Sequence, residues 1–213
     1  EVHAYAIVDY NFMWVELLAL YLELTGDAAL VADLWAVLVA LLDRFHADCE
    51  QSGLILSQPG RRLFLDWAPV SRSEPSAIYN LHYLLALQTA ERLAVRLAHP
   101  TDAERWHGRA AALRLAVHSV FYAAGRWWDD LERTTFSQLA AALAVLTGAT
   151  APEDEAALLE QIAARSLDPA DEHTPGQMVL ASPFMHHYLF TALHSRGRDA
   201  AGVQAAPGRG AAD

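Results

Sequence analysis

The sequence predicts an all-α chain built from helical hairpins, with small loop or strand insertions. Three observations carry that expectation. Apolar residues recur at three- and four-residue spacing through most of the chain. Segments apolar almost all round alternate with segments that have one wet face. Gly, Pro and capping residues punctuate the chain where those patterns break.

The first apolar segment runs from Phe12 to Leu24 and predicts a helix buried on most sides. Gly26 stops it, and Asp27 caps the next helix. From Ala28 to about Ala47, Leu30, Leu34, Leu38, Leu41, Leu42 and Phe45 mark one amphipathic helix. Ser76 to Leu97 is again apolar. Thr101 with Glu104 three residues on reads as a capping box opening the following helix. Phe136 to Thr147 is an Ala-rich apolar helix stopped by Gly148. Pro152 opens another, with Glu153, Asp154 and Glu155 in its first turn, where acids suit the helix dipole. Ser182 caps and Pro183 opens a last helix running to about His194, ending at Gly197. That makes about seven helices, arranged as inner and outer members of hairpins, with a compact bundle as the alternative.

Two connections are too long for a simple bundle. Gln51 to Glu74 and Gly125 to Arg133 are expected to hold short strands, and long ordered loops are where binding residues tend to sit. The tail 200–213 is Ala, Gly, Arg and Pro, and is expected to be disordered.

Composition narrows the function. The chain has 213 residues and a 54 % hydrophobic fraction, enough for one domain with a real core. Its net charge of −11 argues against nucleic acid and anionic membranes as partners, whereas a neutral sugar fits. The one cysteine, Cys49, allows no intrachain disulfide and leans slightly to a cytoplasmic setting. It lies between Asp48 and Glu50, whose field disfavours the thiolate. The ten histidines are scattered at no ligand spacing, and His186 and His187 are adjacent rather than four apart. Asp129, Asp130 and Glu132 resemble the acidic metal motif of terpene cyclases. That motif needs a helix, and Gly125 with Trp127 and Trp128 instead predicts a solvated turn over buried Trp rings. No metal and no cofactor is expected.

Four segments, taken in order and spacing, resemble the bacterial α-L-rhamnosidase family of six-hairpin glycosidases. They are Val8-Asp9-Tyr10-Asn11-Phe12-Met13-Trp14 with Thr25-Gly26-Asp27; Phe64-Leu65-Asp66-Trp67; Phe136-Ser137-Gln138; and Ser182-Pro183-Phe184-Met185 with Tyr188 and Gly197. The likeness covers residues 5 to 199, so residues 1–199 are expected to form part of the catalytic domain. The resemblance implies an incomplete (α/α)6 toroid and hydrolysis of terminal α-L-rhamnosides with inversion. Such a reaction needs two carboxyls about 6.5–9.5 Å apart, one as acid and one activating water.

The family's general acid belongs to an Asp-Cys-Pro…Arg…Glu motif expected upstream of residue 8. Its general base belongs to a Thr-x-Trp-Glu-like motif expected beyond Gly197. Neither motif occurs here, so no catalytic residue is carried over. The resemblance does imply substrate-binding residues. Trp67 is the aromatic platform for the sugar's apolar face and methyl, Asp66 an acceptor for ring hydroxyls, and Tyr10 and Asp9 line the same end. For Tyr10 and Asp9 the residues alone favour a simpler reading, in which Asp9 or Asn11 caps the following helix. The isolated chain is expected not to hydrolyse, and to self-associate through inner-helix faces such as Phe12 to Leu24. A non-catalytic remnant or weak sugar-binding module is the alternative in a different class, and another six-hairpin α-glycoside hydrolase is a third.

Overall fold

The computed structural model describes residues 7–49, 51–168, 174 and 176–195. Eight α-helices, one 3-10 turn and one two-stranded hairpin account for the regular structure among them. The expected tail and the stop at Gly197 lie outside the described residues. The chain divides into two compact units, Glu1–Phe64 with Tyr79–Ser119, and Leu65–Ile78 with Val120–Asp213.

The first unit holds α1 (Tyr10–Thr25), α2 (Ala28–Asp33), α3 (Trp35–His46), most of α4 (Ala77–Arg96) and most of α5 (Pro100–Phe121). Gly26 ends α1 in the left-handed region at φ 70°, its N–H donating to Leu22 O. Asp27 then caps α2, accepting from the amides of Ala29 and Leu30. The expected single helix over Ala28–Ala47 is two, parted at Leu34, whose ψ of −1° breaks the α-helical run. The buried stripe also shifts. Val31, Trp35, Leu38, Leu42 and Phe45 face inward, while Leu30 is exposed.

The expectation of an almost wholly buried α1 is corrected. Phe12, Val15, Leu18 and Leu22 are buried, but Leu17, Leu20 and Leu24 are 59, 47 and 76 % exposed. The helix carries few polar residues, Glu16 and Glu23 among them, so much of its wet side is apolar too. α5 begins at Pro100, so Thr101 lies inside the first turn and cannot be the N-cap of a capping box. The core is aromatic. The Phe12 ring packs against Phe45, Tyr79 and Tyr83 with centroids 4.6, 5.4 and 5.3 Å away. Trp35 stacks on His99 at 4.1 Å and donates from Nε1 to Asp102 at 2.9 Å.

The second unit is organised on α6 (Gln138–Leu146), buried at every position from Gln138 to Val145. Its Ala-rich sequence allows that close approach on all sides. α7 (Pro152–Leu167) and α8 (His186–His194) pack on it, α7 opening at Pro152 with its three acids in the first turn as expected. Pro183–Met185 forms a 3-10 turn ahead of α8 rather than α-helix, and the Ser182 hydroxyl makes no cap bond. The Gln138 side chain ties these parts together. Its amide donates to Ile162 O and Ser166 Oγ, and its carbonyl accepts from Ala181 N–H.

A short strand is present in one of the two long connections. β1 (Tyr122–Ala123) and β2 (Arg126–Trp127) pair antiparallel. Ala124 and Gly125 turn between them at φ 51° and 73°, the double positive φ of a type I′ hairpin. The Gln51–Glu74 connection has isolated bridges only, such as Cys49 to Ile55. Among the described residues no helix is long and apolar enough to cross a membrane.

Candidate functional site

In the second unit the chain enters the Asp66-Trp67 segment through Leu65, which is buried yet held at φ 57°. A leucine in the left-handed region costs roughly 1–2 kcal/mol. The surroundings outweigh that cost by holding the next residue at several points. Asp66 is fully buried, one carboxylate oxygen accepting from its neighbour Trp67 N–H at 2.6 Å and the other from Ser182 N–H at 3.0 Å. Its backbone carbonyl accepts from the Arg72 guanidinium at 2.9 Å. Trp67, immediately after this anchored residue, is 76 % exposed. The two adjacent candidates therefore differ sharply. Asp66 turns its oxygens to the chain's own amides, and Trp67 offers a large aromatic face to solvent.

Tyr10 and Asp9 lie in the first unit. Asp9 is buried and makes no side-chain cap bond to α1; both its oxygens accept from Phe64 N–H, at 3.0 and 3.1 Å. Tyr10 is 39 % exposed and rests its ring on Phe64, centroids 5.4 Å apart.

Sequence reasoning missed a polar network in the second unit. The segment Trp127 to Asp130 was read as a solvated turn, but Asp129 and Asp130 are both buried. Ser137 and Thr135 donate their hydroxyls to Asp129 at 2.6 and 2.7 Å, and Ser71 N–H donates to Thr135 Oγ1 at 2.9 Å. Thr134 donates both its amide and its hydroxyl to Asp130. Burial pushes the Asp129 carboxyl up to about 6, the hydroxyls of Ser137 and Thr135 drawing it back and the charges of Asp130 and Asp66 adding to the rise. Burial also raises Asp130, but hydrogen bonds from Ser71, Thr134 and Arg133 outweigh it and leave the group below its ordinary value. The signal in the sequence was the run of hydroxyls Thr134, Thr135 and Ser137 just after two acids, a pattern that suits local side-chain bonding.

Beside this network the same unit contains a cavity of about 510 Å³, walled by Trp128, Phe136, Pro69 and Val179 and reached by Arg126 and Arg133. No group of three or more His, Cys, Asp or Glu among the described residues is placed to hold a metal. His186 Nε2 donates instead to Ala181 O, and His187 Nδ1 to Phe184 O. Burial raises the Cys49 thiol, which suits no nucleophile.

Residues 5–198 match the family described as the bacterial alpha-L-rhamnosidase 6 hairpin glycosidase domain. Among solved structures the chain is similar to a GH78 family rhamnosidase of Bacillus sp. GL1, at 24 % identity and a TM-score of 0.78, over 92 % of this chain and 20 % of that one. It is also similar to a rhamnosidase from Klebsiella oxytoca with rhamnose bound, at 23 % identity and a TM-score of 0.76, over 93 % of this chain and 37 % of that one. The chain thus spans well under half the length of either, and at such identities the likeness is one of fold. No match was found among curated proteins.

Proposed function

Because the chain belongs to the bacterial α-L-rhamnosidase six-hairpin glycosidase family, we propose that it supplies part of the sugar-binding wall of an inverting α-L-rhamnosidase, with Trp67 as the platform for a terminal rhamnose. The observation that carries this reading is the 76 % exposure of Trp67 next to a carboxylate buried completely. An indole on an anchored backbone is pre-organised, so stacking a sugar on it costs little ordering entropy. Rhamnose presents an apolar ring face and a methyl group, both suited to such a surface. Asp66 acts through the loop. By accepting from Trp67 and Ser182 N–H it sets where the indole stands, which makes it a positioning residue rather than a hydroxyl acceptor.

Inverting hydrolysis needs an acid and a base with room for water between them. Asp66, Asp129 and Asp130, buried in the second unit, are engaged with amides and hydroxyls, which suits structure more than proton transfer. The reading therefore places the general acid and base in other sequence and expects no turnover from this chain alone.

Titrating the chain with L-rhamnose, followed by tryptophan fluorescence and calorimetry, tests the platform. Saturable binding at a Kd of about 1 mM, roughly −4 kcal/mol, is expected for one monosaccharide on a partial wall. Trp67→Ala should reduce it at least about tenfold, the loss of a stacking contact near 1.4 kcal/mol, with the melting temperature unchanged. Unchanged affinity with a large drop in melting temperature would make Trp67 structural. Release of nitrophenol from p-nitrophenyl α-L-rhamnoside by the isolated chain would show that the acid and base lie within it.

A further inference from the structure

The loop that presents Trp67 is held at both of its ends, and the second hold leads to Asp129. At the first, Asp66 accepts from Trp67 and Ser182 N–H, and the Arg72 guanidinium closes the loop by donating to Asp66 O at 2.9 Å. At the second, Ser71 N–H donates to Thr135 Oγ1 at 2.9 Å. That hydroxyl has a single hydrogen, which it donates to Asp129 Oδ2 at 2.7 Å. One chain of hydrogen bonds therefore runs from the loop backbone, through Thr135, to a buried carboxylate.

The charge at the end of this chain acts on its start. A hydroxyl that donates to an anion becomes a better acceptor on its oxygen, so an ionised Asp129 tightens the Ser71 bond. A protonated Asp129 has one hydrogen to place, on Oδ1 or on Oδ2. Oδ1 faces the Ser137 hydroxyl at 2.6 Å, and Ser137 is 1 % exposed, its oxygen already accepting from Ala140 N–H. A proton on that side would leave the Ser137 hydrogen buried with no acceptor, which is costly. Thr135 is half-buried, so its hydrogen can turn to water. The proton therefore fits Oδ2 better, where it displaces the Thr135 hydrogen and removes the polarisation that Ser71 feels.

We propose that Asp129 is a positioning residue for the Trp67 platform, fixing the far end of its loop through Thr135 when ionised and loosening it when protonated. The role deepens the rhamnose-platform reading and rests on it for the ligand. Burial pushes the Asp129 carboxyl up to about 6, which puts both states within reach of ordinary buffers. The acids acting on it are Asp130 and Asp66. Asp130, held below its ordinary value, stays ionised there and keeps its bond from Ser71. Arg72 lies on the loop, and Arg126 and Arg133 reach the cavity that Thr135 also lines; all three keep their charge throughout. Two imidazoles also stand beside the first hold, His186 bonded to Ala181 O and His187 to Phe184 O.

The test uses the full chain labelled with 5-fluorotryptophan, the Trp67 fluorine resonance being assigned with Trp67→Phe, and titrates L-rhamnose in parallel. The Trp67 resonance should move with pH, its midpoint at about 6. L-Rhamnose should bind about fivefold more tightly near pH ~7.5 than near pH ~5, the difference between a charged and a neutral hydrogen bond. Asp129→Asn should hold both readings constant with pH. Thr135→Val should fix them at their low-pH values, and Thr135→Ser, which restores the hydroxyl, should bring the pH step back. Variants that lower the melting temperature yet keep the wild-type step overturn the positioning role. So does a step that His186→Gln or His187→Gln removes, or a wild-type Trp67 resonance that does not move with pH. L-Rhamnose binding that is equal at the two pH values overturns it as well. A resonance that titrates with Asp129 while L-rhamnose binds at neither pH would sustain the positioning role and sink the rhamnose reading instead.

Discussion

Asp66 and Trp67 are neighbours in the chain with opposite surroundings, and their variants should separate two kinds of effect. Asp66→Asn keeps the shape but sets an NH2 against one of the two amides that the carboxylate now receives. The expected cost is about 2 kcal/mol in chemical denaturation, together with weaker rhamnose binding as Trp67 loses its anchor. Lost stability with full rhamnose affinity would remove Asp66 from the positioning role. Asp129 carries a prediction about pH. Its carboxyl ionises at about 6 in the fold against an ordinary value of 3.8, so the folded chain holds the proton more tightly than the unfolded one. Stability should therefore fall as pH rises from about 4 to 6, by up to roughly 3 kcal/mol, and then level off. Asp130 and Asp27, both held below their ordinary value, contribute stability that is lost only as pH falls under that window. Melting curves of Asp129→Asn should lack the decline between pH 4 and 6; a variant that keeps it would assign the effect elsewhere.

At the scale of elements, caps and breaks decide where helices stand. Asp27 satisfies two amides at the start of α2, and Asp27→Ala should lower stability, read as a downward shift in denaturation midpoint. Ser137 has a double duty in the second unit, capping α6 through Ala140 N–H and donating to Asp129. Ser137→Ala should therefore cost more than the Asp27 variant, about 2 kcal/mol, because it removes a cap and leaves a buried carboxylate short of a donor. An equal loss in the two variants would mean that the Asp129 bond contributes little. The Gly26 stop, the Asp27 cap and the Pro152 opening of α7 were all legible in the sequence, since each acts within one turn of chain. The Leu34 break was not, since Leu30, Leu34 and Leu38 continue the helical spacing without interruption; the start of α5 at Pro100 had a local signal, proline at a first helical position, which the Thr101–Glu104 pattern obscured.

At the scale of the whole chain, the exposed stripe of α1 matters most. Leu17, Leu20 and Leu24 are spaced three and four apart and so share one face of the helix. Exposed apolar stripes of that kind drive association. Sedimentation of the chain should show concentration-dependent self-association, and the triple variant L17Q/L20Q/L24Q should shift it towards monomer. A monodisperse wild-type monomer at high concentration would show that the stripe is tolerated in water.

The sequence by itself determined the helical class, most of the helix ends and the family, because periodicity, caps and ordered short motifs are local properties of the chain. It also singled out Asp66 and Trp67. Only the tertiary structure decided which of the two faces solvent, since that turns on Leu65 at φ 57° and on Ser182, 116 residues further along, donating to Asp66. The buried Asp129 network and the arginine-bearing cavity were likewise invisible beforehand. Ser71, Thr134 and Thr135 are ordinary polar residues in sequence, and they acquire meaning only when folding removes water and leaves each donor and acceptor to find a partner.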